Sequence, residues 1–171
     1  MSFLLFGCRV KIEFSFILML CFAIVLGADS IAYLLLFSSF HELGHLAVLL
    51  AFGGKAESLT FSFYGLALKY ETKLGRFAET LVILAGPLVN LILYLILRDD
   101  INLLLFFVNM LPVYPIDFGR VVKLYFPAFS KVISIVFLVI LSVFSFYLII
   151  VYKSFSMIFI TCYLIIYSVL Y

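Results

Sequence analysis

Residues 31–52 read IAYLLLFSSFHELGHLAVLLAF, an apolar run long enough to cross a bilayer. Set inside it is His41-Glu42-Leu43-Gly44-His45, and His41 and His45 are the only histidines in the chain. On a helix, positions i and i+4 share one face, so both imidazoles can grip one Zn2+ while Glu42 stands beside it. In a soluble chain the same pattern is as easily a helix with a polar face. Within lipid the balance changes, because an ionisable group at mid-helix costs about 2.5–3.5 kcal/mol on insertion scales and such groups face a cavity or a partner. Three of them in one turn point to a metal site.

The rest of the chain is of one kind with this run. Of 171 residues, 67% are hydrophobic and 12% charged, with 21 Phe and 11 Tyr. That composition excludes an ordinary soluble domain. It predicts an all-α polytopic membrane protein with about six transmembrane helices, near 14–28, 31–52, 77–97, 101–122, 131–152 and 154–171. Trp is absent, so Tyr must supply any interfacial belt. A formal charge of +2 gives no reason to expect nucleic acid. Cys8, Cys21 and Cys162 are too widely spaced for a zinc knuckle or a disulfide framework. A single membrane-embedded domain is expected over 1–171, with a core near 10–125 and two further helices over 131–171.

Basic residues set the orientation. Arg9, Lys11, Lys55, Lys69, Lys73, Arg76, Arg120, Lys123 and Lys131 fall on one side of this six-span arrangement, and only Arg98 and Lys153 on the other. The positive-inside rule then puts both termini in the cytoplasm and His41 and His45 in the cytoplasmic half of their span. Asp117 approaches the same leaflet. Between the second and third spans, Leu59, Phe61 and Phe63 alternate with Thr60 and Ser62. This predicts a small membrane-associated β-hairpin, whose exposed edge could take an unwound substrate segment as an added strand.

A catalytic zinc has three protein ligands and an open position. Acidic residues outside obvious loops are Glu42, Glu79 and Asp117. Glu42 is wanted as the base, and Glu79 reads more simply as a solvated helix end. Asp117 follows Pro112 and Pro115, which break the helix, and broken backbone at membrane depth needs protein or water around it. Asp117 could swing toward zinc, or pair with Arg120. In the third span, Gly86 and Pro87 permit close packing and a kink. Asn90 could donate to a developing oxyanion or simply pack against a neighbouring helix.

Taken together, His41-Glu42-Leu43-Gly44-His45, Gly86-Pro87-Leu88-Val89-Asn90 and the run Asn109 to Asp117 resemble the site-2 proteases, intramembrane zinc metalloproteases of the M50 class. The last run is especially similar to the stage IV sporulation protein FB branch. The resemblance covers about residues 10–125. It implies one catalytic Zn2+ on His41, His45 and Asp117, Glu42 as catalytic base and Asn90 assisting. It further implies regulated intramembrane proteolysis, with cleavage in or near the membrane segment of a membrane-tethered regulator of pro-sigma or anti-sigma type. A membrane-protein regulator and a bacterial cell membrane as location are expected with it. Phe118 stands where the family commonly has the first of two glycines. No PDZ-like insertion is read, and the chain leaves no room for a nucleotide-sensing domain. The competing reading is a zinc-binding membrane transporter, which would favour ligands strung along several helices; here there is one cluster.

Overall fold

A computed structural model of the chain describes residues 2–5, 8–25, 27, 29–62, 65–70, 74–153 and 156–170. It divides into two compact units, residues 1–107 and 108–171. The division falls within the expected core, not after it.

The first unit begins with strands β1 (Ser2–Leu5) and β2 (Cys8–Ile12), followed by helices α1 (Phe14–Val25) and α2 (Asp29–Ala51). Strands β3 (Ala56–Ser62) and β4 (Gly65–Tyr70) come next, then α3 (Arg76–Leu97) and α4 (Asp100–Asn109). Helix α2 stops where Gly53 turns at φ +73° and where the Gly53 and Gly54 amides bond back to Leu50 and Leu49. A side chain at Gly54 would strike Leu49. Helix α3 ends at Arg98, left-handed at φ 56°, with its amide bonded to Tyr94 O. The Asp99 carboxylate then accepts the Ile101 amide at 2.9 Å and opens α4.

The expected hairpin is present as β3 and β4, but it belongs to a larger sheet of order β1-β2-β3-β4. Strand β2 runs parallel to β3, with α1 and α2 as the crossover between them. Arg9, Lys11 and Lys69 are exposed, whereas Val10 and Leu59 are buried. The buried face joins Leu46, Val48 and Leu49 of α2 and Val82 of α3 in one cluster. Sheet and histidine helix therefore share a core.

The second unit holds α5 (Asp117–Tyr125), α6 (Ser130–Tyr152) and α7 (Ser156–Leu170). Residues 110–116, with Pro112 and Pro115, are not helical. The expected span over 101–122 is thus two short helices, α4 and α5, because proline lacks the amide a continuous helix needs. Val113 and Ile116 pack with Leu138, Leu141, Ile160 and Leu164. The Tyr114 amide donates to Ser134 Oγ at 3.0 Å, so the unwound backbone finds a partner inside the unit.

Three helices among the described residues are long and apolar enough to cross a membrane: 29–51, 76–97 and 130–151. The chain is accordingly a mostly helical membrane protein with a small sheet. Helix α1 has 12 residues, about 18 Å at 1.5 Å per residue, well short of the roughly 30 Å hydrocarbon layer. Its sequence was apolar over a longer stretch than the helix occupies.

Candidate metal centre

His41 and His45 are buried on one face of α2, and α3 lies against that face. Glycines on both helices make the approach close. A Cβ at Gly44 would meet Val89 Cγ2 at 2.7 Å and the Ala85 carbonyl oxygen at 3.1 Å. A Cβ at Gly86 would meet His41 Nε2 at 2.6 Å and His45 Cε1 at 2.5 Å, with His45 Nε2 nearer still. Small residues at such positions let helix backbones touch in a membrane.

The two Nε2 atoms are 3.1 Å apart, the rings nearly perpendicular at 88°. Two nitrogens bound to one tetrahedral zinc at about 2.0–2.1 Å would be separated by roughly 3.3 Å. The two Nε2 atoms therefore have the spacing that one zinc would need, beside the spot a Gly86 side chain would fill. His45 Nδ1 lies 2.7 Å from the Val82 carbonyl oxygen. That contact needs the proton on Nδ1, which leaves Nε2 with a lone pair for a metal. The Gly86 amide, 3.3 Å from the same Nδ1, is the longer contact and yields to it. His41 Nδ1 lies 3.0 Å from the Asn90 side-chain amide. Glu42 is half-buried, and ligand atoms of His41, Glu42 and His45 all lie within 4.8 Å of one another. The residues present fit a zinc ion.

Positions 82, 86 and 90 share one face of α3, so one turn-spaced row meets the histidine pair. The sequence reading singled out Gly86 and Asn90 but missed Val82. Its contribution is a main-chain carbonyl, which no residue type announces. The Gly-Pro pair was the available signal, since a bare glycine exposes the helix backbone beside it.

Asp117 lies in the second unit as the first residue of α5, buried, with its carboxylate 3.7 Å from Arg120 Nη1. That separation is too long for a hydrogen bond and makes a loose ion pair. Phe118 is half-buried without conflict, whereas a Cβ at Gly119 would run into the Val113 and Tyr114 backbone. Gly119 is the glycine that the close backbone approach requires.

The predicted substrate-binding residues have another use. Leu59 is 3% exposed in the sheet core, and Phe61 packs against the same cluster and edge-on to Phe16 at 5.5 Å. Phe63 lies outside the described residues. Strand β3 is flanked by β2 and β4, so its backbone offers no open edge; the free edge beside it is that of β4.

No family model matches the chain. It is 36% identical over 115 residues to a Synechocystis protein named "Putative zinc metalloprotease", covering 54% of this chain and 30% of that protein. The chain thus spans under a third of the length of that curated relative. Among solved structures it matches the site-2 protease from Methanocaldococcus jannaschii. The TM-score is 0.58 at 21% identity, covering 98% of this chain and 94% of that one. The fold is that of a site-2 protease. The convergent histidines sit on this shared architecture.

Proposed function

We propose that the protein is an intramembrane zinc metalloendopeptidase of the site-2 protease type. The observation that carries this reading is the pair of Nε2 atoms 3.1 Å apart, facing Gly86, on a helix apolar enough to span a membrane. His41 and His45 would hold the ion, with Asp117 as the third protein ligand. When bound, zinc supplies a Lewis acid and brings the pKa of a water to about 7. Glu42 accepts a proton from the attacking water and passes it to the leaving amine. Asn90 faces the same site from α3. Six crossings follow if α1 and α7 span as short helices that thin the bilayer and α4–α5 counts as one broken span. Both termini are then cytoplasmic, by the distribution of Lys and Arg.

The substrate is a membrane-tethered regulator of pro-sigma or anti-sigma type, cut in or near its membrane segment in a bacterial cell membrane. The Asn109 to Asp117 run supports a likeness to the sporulation branch. An unwound segment would add to the β4 edge. Co-expression with candidate single-span regulators tests the function. Wild type should deplete the precursor and Glu42→Gln should let it accumulate while still holding zinc. Equal cleavage by both would remove Glu42 as the base.

A further inference from the structure

We infer that Asn90 and the Val82 carbonyl act together as positioning groups, fixing both imidazoles with the proton on Nδ1 and the lone pair on Nε2. The inference rests on the metal-site reading above and adds what holds the two histidines in the ligating tautomer when an ion is bound.

A neutral imidazole carries one proton, and the hydrogen bond at one nitrogen decides the state of the other. For His45 the shorter contact decides: a carbonyl can only accept, so Val82 O takes the Nδ1 proton at 2.7 Å, and the Gly86 amide at 3.3 Å is the longer contact. For His41 the structure places the Asn90 amide nitrogen 3.0 Å from Nδ1, but the two ends of a carboxamide are alike in shape and are told apart by what the network demands. If the amide NH2 donated to Nδ1, the His41 proton would sit on Nε2, 3.1 Å from His45 Nε2, and His41 could not ligate. Only with the amide oxygen on Nδ1 do both lone pairs aim at the same point. Asn90 has no exposed surface, and the far end of its amide has no protein partner. In the orientation His41 demands, that far end is the NH2 group, a buried donor kept for whatever enters the site.

Helix α3 thus presents one acceptor to each histidine, the Val82 carbonyl to His45 and the Asn90 side chain to His41. Gly86 stands between them and leaves the rings room to reach both. The geometry is antiparallel: the later histidine meets the earlier residue of α3.

Purified wild type, Asn90→Ala and Asn90→Asp are compared for Co2+ and Zn2+ affinity by competition with a chelator, with the Co2+ absorption spectrum as a second readout. Asn90→Ala should bind about 10–100-fold more weakly, the usual loss when a ligand histidine loses its outer partner. Asn90→Asp keeps the acceptor and the shape but cannot donate when ionised. It should bind as tightly as wild type or tighter, with an unchanged spectrum, while cleavage still falls. An Ile83 backbone ester, which weakens Val82 as an acceptor without altering a side chain, should also lower affinity. Wild-type affinity in Asn90→Ala, or equal losses in Asn90→Ala and Asn90→Asp, would overturn the inference and leave the protease reading standing. A wild-type protein that holds neither metal overturns both.

Discussion

The two units build their buried polar groups in different ways. In the first, His41 and His45 are held by a second helix that meets them at 82, 86 and 90, and by a sheet whose core runs into the same helix. In the second, Asp117 begins a nine-residue helix after a stretch without helical bonding, and its carboxylate forms a loose ion pair with its own neighbour Arg120 at 3.7 Å. The first site is built between two long helices, whereas the second lies at the start of a short one. Close helix–helix packing makes the first site intolerant of added volume.

The sharpest way to break the comparison is Gly86→Ala. Its methyl group would run into both Nε2 atoms, so metal affinity should fall by more than the roughly 100-fold upper range for outer-partner losses, with helicity by circular dichroism unchanged. A bound ion at wild-type affinity would show that the rings do not meet at that point. Asp117→Ala should cost about 10–100-fold, less than Gly86→Ala because both imidazoles remain. Unchanged zinc content after purification would assign the third ligand elsewhere. Arg120→Gln removes a half-exposed competitor for the carboxylate, and should raise metal affinity by no more than about fivefold, the worth of a loose ion pair. A fall instead would mean that Arg120 aims Asp117. Ser145→Ala deletes the 2.7 Å contact with Thr161 Oγ1 between α6 and α7. It should cost about 0.6 kcal/mol of stability in detergent and leave metal binding unaltered.

Particular residues show where the sequence was readable. The i, i+4 histidines and their glutamate are local in the chain, so helix geometry alone puts them together. The break at Pro112 and Pro115 was legible for the same reason, as was the β3–β4 pairing from its alternation. The β1 and β2 strands were not anticipated, although Arg9, Val10, Lys11 and Ile12 alternate as a half-buried strand should. Their charges were read for topology alone, and the parallel partner lies across two helices. Leu59 and Phe61 were assigned to substrate because an exposed hairpin edge could take an added strand. In the four-stranded sheet β3 is an inner strand, with Leu59 buried and Phe61 packed against the core.

The sequence by itself determined the solvent the chain lives in and the ligand types set within it, since hydrophobicity and helical spacing are written residue by residue. Only the tertiary structure decided which groups surround those ligands: a carbonyl from Val82, an amide from Asn90 and the bare backbone at Gly86. These contacts join residues 37 to 49 positions apart, and a main-chain oxygen carries no signature in the sequence until packing brings it alongside a ring.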